Sequence, residues 1–287
     1  MSEIKTVAVL GLGIMGAGIA QVVASSGFNV VGVDVNEAAL DKAQQVMATS
    51  LNRLAAKDKL PESPETIMER VGWHTDLARV EQADFLIETV SEIMELKLDI
   101  LARVDRLCPP QVIFASNTSQ FSITALAAAT QRPTNLIGMH WFNPAPIMPL
   151  IEVVRALETS DETLAATLAV CERLGKQTVV CQKDTVGFIT TRMLSLWGAE
   201  AARILEEGIA TVEDIDRACR LAFGHPMGPF TLSDMSGLDT GLRVRQNLFE
   251  AYGERYRPTA TLRNLVKAGH LGRKTGRGYY DYAGDKK

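Results

Sequence analysis

Val7-Ala8-Val9-Leu10-Gly11-Leu12-Gly13-Ile14-Met15-Gly16 is the stretch that decides the fold. The first four residues are apolar and mostly β-branched, which suits a strand buried on both faces of a parallel sheet. The glycines follow at once, and a helical pattern runs from Met15 to about Ser26. Gly11 permits the tight turn out of the strand, Gly13 leaves the backbone open, and Gly16 lets the helix sit close to the strand. A second apolar run, Asn29-Val30-Val31-Gly32-Val33, ends at Asp34. Strand, glycine turn, helix, strand and terminal acid together spell a dinucleotide-binding unit. The pyrophosphate would lie on the helix N-terminus beside Ile14 and Met15, and the Asp34 carboxylate would accept the adenosine ribose hydroxyls. An acid there, with no arginine directly after it, favours NAD over NADP.

Outward from this stretch, apolar runs alternate with helical patterns as far as residue 185. Ala83–Val90, Val112–Ala115 and Leu136–Met139 read as strands, with another near Trp73, and Met94–Arg106 reads as an amphipathic helix stopped by Pro109-Pro110. This alternation predicts a Rossmann-like α/β fold with a doubly wound, mostly parallel sheet over residues 1–185. Glu37 to about Lys59 reads as one long helix, expected to project from the sheet and serve a ligand. From 186 the pattern turns helical: Gly187–Glu207, Val212–Phe223, Pro229–Tyr252 and Thr261–Ala268. Residues 186–287 should therefore form an all-helical domain for substrate binding and dimerisation. Its short helices, apolar on several sides, lead us to expect a homodimer.

Composition narrows the class. The 287 residues carry 46% hydrophobic side chains and a net charge of −4, which gives a sizeable core and no basic footprint for nucleic acid. Arg273, Lys274 and Arg277 form the one basic cluster. No signal peptide and no apolar run of spanning length is visible, so no membrane role is expected. Cys108, Cys171, Cys181 and Cys219 lack metal or redox spacing and read as buried thiols of a cytoplasmic protein; no metal site is expected.

The chemistry points to a second stretch, Gly138-Met139-His140-Trp141-Phe142-Asn143-Pro144, followed by Leu150-Ile151-Glu152-Val153. His140 stands at the carboxyl end of a predicted strand, where open α/β sheets bind ligands. Asn143 and the prolines between the two runs can fold the chain back and bring Glu152 to the imidazole. A carboxylate so placed fixes the tautomer and strengthens the base that hydroxyl oxidation needs. The competing reading is a core histidine among aromatics, with Glu152 at a surface edge. Ser116-Asn117-Thr118-Ser119, polar and directly after a strand, would contact a substrate or a nicotinamide ribose; alternatively it caps the helix Ile123–Ala128.

These motifs resemble the L-3-hydroxyacyl-CoA dehydrogenase family, in its short bacterial form acting on 3-hydroxybutyryl-CoA-like substrates. Gly11–Gly16, Glu88–Glu92 with Lys97, Ser116–Ser119, His140–Pro144, Asp184–Phe188, Gly224–Phe230 and Gly272–Tyr280 carry the resemblance over nearly the whole chain. It implies His140 as general base with Glu152 as its partner, and Ser119 on the substrate oxygen. It places Glu92 and Lys97, with Asn117, at the cofactor, and Ser50 and Lys57 at coenzyme A. One departure stands out in Asp184-Thr185-Val186-Gly187-Phe188-Ile189-Thr190-Thr191-Arg192: Thr191 occupies the place of the family's site asparagine, and Val186 that of its proline. A hydroxyl offers one donor where the amide offers two, so substrate positioning should differ while the His140–Glu152 chemistry survives. The expected activity is NAD-dependent interconversion of a (3S)-3-hydroxyacyl-CoA and its 3-oxoacyl-CoA, a step of fatty acid metabolism. The alternatives are a dehydrogenase of a free 3-hydroxy acid or sugar acid, and a cofactor-binding structural relative without turnover.

Overall fold

The computed structural model describes residues 3–284. The chain forms two compact units, Met1–Thr185 and Val186–Lys287. In the first, β1 (Thr6–Leu10) leads through the glycine turn into α1 (Ile14–Ser25), and β2 (Asn29–Val33) leads into α2 (Glu37–Ala55). Next come α3 (Pro64–Glu69), β3 (Val71–His74), β4 (Phe85–Glu88), α4 (Met94–Leu107), β5 (Ile113–Ser116) and α5 (Ile123–Ala127). The unit ends with β6 (Leu136–Trp141), β7 (Leu150–Arg155), α6 (Asp161–Arg173) and β8 (Gln177–Cys181).

The strands lie in one eight-stranded sheet of order β3-β2-β1-β4-β5-β6-β7-β8. All neighbours pair in parallel except β6 and β7, which are antiparallel. The chain order reverses at β1, so the carboxyl ends of β1 and β4 open a crevice of the kind that binds dinucleotides. The central strands are apolar on both sides because helices cover both faces; Val7, Val9, Phe85, Ile87, Phe114 and Ile137 are fully buried.

The long helix differs from expectation. α2 ends at Ala55, four residues before the expected end. Its residues Leu40, Ala43, Met47 and Leu51 recur every three or four positions and bury one stripe against the unit's core. The support comes partly from α3, a six-residue helix too short to show in the sequence pattern, capped by Ser63 and started by Pro64.

The second unit contains α7 (Thr190–Glu206), α8 (Val212–Phe223), α9 (Pro229–Ser236), α10 (Leu238–Tyr252) and α11 (Ala260–Lys267). α7 starts later than the sequence pattern suggests, because Gly187 and Phe188 hold positive φ angles of 75° and 49°. The pattern Pro229–Tyr252 is two helices, broken at Gly237 with φ 94°. Two buried aspartates tie this unit together. Asp216, on α8, accepts from Phe230 N, Thr231 N, Thr231 Oγ1 and Tyr280 Oη, which caps α9 and anchors the C-terminal segment. Asp234, on α9, accepts from Tyr279 N, Tyr280 N and Tyr282 Oη. The neighbouring glycines follow from this. A Cβ on Gly228 would lie 2.3 Å from Asp216 Cγ, and one on Gly278 2.0 Å from Asp234 Oδ1.

Candidate active site

β6 and β7 bring His140 and Glu152 together by register. His140 lies directly opposite Glu152 in the antiparallel ladder, so both side chains share a face. His140 Nδ1 is 2.9 Å from Glu152 Oε2. Glu152 is fully buried and His140 is 7% exposed, which rules out the reading of Glu152 as a surface edge. The Phe142 ring packs on the imidazole, with ring centroids 4.6 Å apart. With Nδ1 engaged by the carboxylate, the ring is fixed in orientation.

Asn117 and Ser119 sit beyond β5. Asn117 Oδ1 accepts from Trp141 N at 2.9 Å, which joins the β5 exit to the residue after His140. Ser119 does not cap the next helix; Ser122 does, accepting from Ala125 N. Ser119 instead meets Glu92. Glu92 Oε1 accepts from Thr118 Oγ1 at 2.6 Å and from Ser119 N at 3.0 Å. Glu92 Oε2 lies 3.2 Å from Lys97 Nζ, and Lys97 in turn bonds Glu88 Oε1 at 2.8 Å. Glu88 Oε2 accepts from Ser116 Oγ. Lys97 is fully buried, and it holds the partly exposed Glu92 in place. The sequence pattern marks both Glu92 and Lys97, but it does not mark Glu88 as the buried counter-ion that makes a buried lysine tolerable.

The glycine turn fits a dinucleotide. A Cβ on Gly16 would lie 1.8 Å from the Gly11 carbonyl oxygen, so only glycine permits this packing. A Cβ on Gly13 would meet nothing within 4 Å, which leaves the approach to the helix open. α1 has no side-chain cap and no acid in its first turn, so the amides at Ile14, Met15 and Gly16 face an anion without competition. Asp34, after β2, accepts from Leu12 N and Val35 N at 2.6 Å each, and these bonds aim its carboxylate across the crevice.

Ser50 and Lys57 line one cleft of about 720 Å³ between α2 and the segment Asn143–Ile147 that follows β6. Arg53 lines it too. The sequence reading missed Arg53, although its spacing from Ser50 and Lys57, three and four residues, is the signal for one helix face. Thr191 belongs to the helical unit, on the first turn of α7.

The four cysteines are buried and unpaired with one another. Burial pushes the Cys108 thiol up to about 11 and Cys171 up to about 12, so both are inert at neutral pH. Among the described residues no cluster could hold a metal ion, and no helix is long and apolar enough to cross a membrane.

Comparison with known proteins agrees with this geometry. The 3-hydroxyacyl-CoA dehydrogenase NAD binding domain matches residues 6–185, and the C-terminal domain of the same family matches residues 187–282. A probable 3-hydroxybutyryl-CoA dehydrogenase of Deinococcus radiodurans is 44% identical, over 96% of this chain and 99% of its own. One of Bacillus subtilis is also 44% identical, over 98% of each. The crystal structure of (S)-3-hydroxybutyryl-CoA dehydrogenase from Ralstonia eutropha superposes with a TM-score of 0.94 at 44% identity, covering 98% of this chain and 100% of that one. The chain belongs to the 3-hydroxyacyl-CoA dehydrogenase family, the NAD-dependent oxidoreductases whose two domains it carries in order.

Proposed function

We propose that the protein interconverts a short-chain (3S)-3-hydroxyacyl-CoA and its 3-oxoacyl-CoA, with His140 as the acid–base. The observation that carries this is the 2.9 Å contact between His140 Nδ1 and the buried Glu152. In oxidation, His140 Nε2 takes the hydroxyl proton as the C3–H bond gives up its hydride. Glu152 stabilises the imidazolium that results, and does not itself take the proton. In reduction the same imidazolium returns the proton to the carbonyl oxygen. NAD supplies the hydride acceptor; Gly11, Gly13, Gly16 and Asp34 hold it, with Glu92 toward the nicotinamide end. Ser119 and Asn117 orient the reacting oxygen and the ribose, and Thr191 contacts the acyl part.

Ser50, Lys57 and Arg53 hold coenzyme A. Two cations on the cleft suit a phosphate-bearing tail, and a free hydroxy acid or sugar acid has no phosphate to offer them. The helical unit leaves Met193, Leu221 and Phe223 exposed, at 68%, 80% and 66%, and two copies pairing through that unit would cover them. This chemistry and the bacterial relatives support a cytoplasmic place in fatty acid metabolism.

The test is NADH oxidation with acetoacetyl-CoA, with its pantetheine-truncated thioester and with free acetoacetate. We expect turnover of the CoA ester, weaker use of the truncated ester and almost none of the free acid. Lys57→Ala should raise KM for the CoA ester with little change in kcat, because it removes binding common to ground and transition states. Equal use of free acetoacetate would replace the acyl-CoA reading with the free-acid one.

A further inference from the structure

The loop that joins β6 to β7 is short of hydrogen-bond donors. Residues 144–149 read Pro-Ala-Pro-Ile-Met-Pro, and the three prolines have no N–H to give. The Ile147 and Met148 amides both turn back to the Pro144 carbonyl, at 3.0 Å each. The carbonyls that remain need donors from outside the loop, because a backbone group withdrawn from water without a partner is costly. Pro149 O is met by Gln177 N at 2.8 Å. Ala145 O and Met148 O are met by a single side chain, Lys176, whose Nζ donates to each at 2.8 Å. Ala145 is only 2% exposed, so water is a poor substitute there.

Lys176 stands in the turn between α6 and β8, on fixed backbone. Its amide donates to Cys171 O at 3.0 Å, and β8 begins at the next residue. Burial lowers its basicity, and among the described residues no carboxylate offsets this. Two carbonyls and the face of Trp141, with Nζ 5.6 Å from the ring centroid, take the place of a counter-ion. An ammonium has donors to spare for both carbonyls, and its charge strengthens each bond. The loop also meets α1: a Cβ on Gly18 would lie 3.2 Å from Pro146 Cδ and 3.3 Å from Ala145 Cβ. Asn143–Ile147 is the wall of the 720 Å³ cleft that faces Ser50, Arg53 and Lys57. Lys176 is not part of that lining, so it acts on the cleft through the wall it holds.

We propose that Lys176 is a positioning residue for the coenzyme A tail: by gripping Ala145 O and Met148 O it pins the proline-rich wall of the cleft in the form the tail binds. This deepens the coenzyme A reading of that cleft and rests on it. A wall already set in its bound form spares the ligand the cost of ordering it. The gain falls on binding of the tail and not on the hydride step, since the tail is held alike in ground and transition states.

The experiment follows NADH oxidation by wild type, Lys176→Met and Lys176→Arg with acetoacetyl-CoA and with its pantetheine-truncated thioester. Lys176→Met keeps the length of the side chain and loses both bonds. It should raise KM for the CoA ester about tenfold, the size of one charge-assisted hydrogen bond, with kcat and the KM of the truncated ester little changed. Lys176→Arg keeps charge and donors and should recover most of the loss. An unchanged KM for the CoA ester in Lys176→Met overturns the inference, and so does an equal rise for both esters. Should Lys176→Met not fold, Lys176→Gln, which retains a neutral donor, must show the same split; without it the inference falls. If wild type uses the truncated ester as well as the CoA ester, the coenzyme A reading fails separately. Hydrogen exchange at the Ile147 and Met148 amides then reads the pin without any ligand: it should quicken in Lys176→Met, and unchanged exchange overturns the pin as well.

Discussion

Glu152 on β7 and Asp216 on α8 are both buried acids, 0% and 2% exposed, yet they do different work. Asp216 meets two backbone amides and two hydroxyls, groups whose protonation does not change near neutral pH. Glu152 faces an imidazole, a group able to take up and release a proton. Burial is therefore no guide to function by itself. What distinguishes the two sites is whether the partner can titrate. Fixed donors convert an acid into a structural tie, while a titratable partner makes it half of a proton-handling pair. Glu88 lies between these cases: Lys97, Ser116 and Val90 N surround it, and it acts on the site by holding the lysine that holds Glu92.

Mutation should separate the two sites, and the largest expected effect is at the hairpin. His140→Ala should lose roughly 10²–10⁴-fold in the hydride-transfer rate, the usual size of general acid–base catalysis, while NADH still binds. Glu152→Gln should also lose much of the rate, because an amide holds the ring but cannot stabilise imidazolium. The oxidative rate should rise with pH, and the reductive rate fall, through one ionisation that His140→Ala abolishes. Single-turnover fluorescence of NADH measures all of this. Near-normal hydride transfer in His140→Ala would collapse the distinction and send the search for the base elsewhere.

The converse holds at Asp216. Asp216→Ala leaves two buried amides and two hydroxyls without their acceptor, and should cost about 3–5 kcal/mol in the stability of the helical unit. Urea denaturation followed by circular dichroism reads this. The residual folded enzyme should show the wild-type pH profile. A changed profile with normal stability would mean that Asp216 belongs to the chemistry after all.

The two sites also differ in how far the sequence discloses them. His140 and Glu152 are legible because strand alternation and the intervening prolines constrain which residues face each other. Their reliance on an antiparallel pair in an otherwise parallel sheet does not show, since an apolar run carries no sign of direction. The Rossmann-like unit is legible from its glycines and Asp34 for the same local reason. Asp216 is invisible, because its partners lie 14 or more residues away and an acid on a helix pattern looks solvated. Gly228 and Gly278 were the signal, glycines that the family motif displays without giving their cause. The split of Pro229–Tyr252 escapes because Gly237 does not interrupt the helical spacing. The burial of Arg245 on α10 escapes because Arg243, two residues before it, is exposed, and an arginine pair in a helix reads as surface.

The smallest effect sharpens the comparison through pH. Tyr280 and Tyr282 donate to Asp216 and Asp234, so ionising either phenol would set an anion against a buried carboxylate. Burial, and then the neighbouring carboxylate, push both phenols up; Tyr282 reaches about 12. A folded-state value above the unfolded value of about 10 means that the folded chain holds its proton longer. The contribution is whole below pH 10 and is lost as pH rises from 10 to 12. Both rings are half-exposed, so solvent screening trims the effect well below what the shift alone implies. Melting curves between pH 9 and 12 should therefore show a modest added loss of stability in wild type, and a shallower one in Tyr282→Phe. The hairpin offers a contrast, since its pH response should appear in rate and not in stability at high pH. If Tyr282→Phe melts with the same alkaline slope as wild type, the Asp234 tie does not depend on that phenol, and the two amides of Tyr279 and Tyr280 carry it alone.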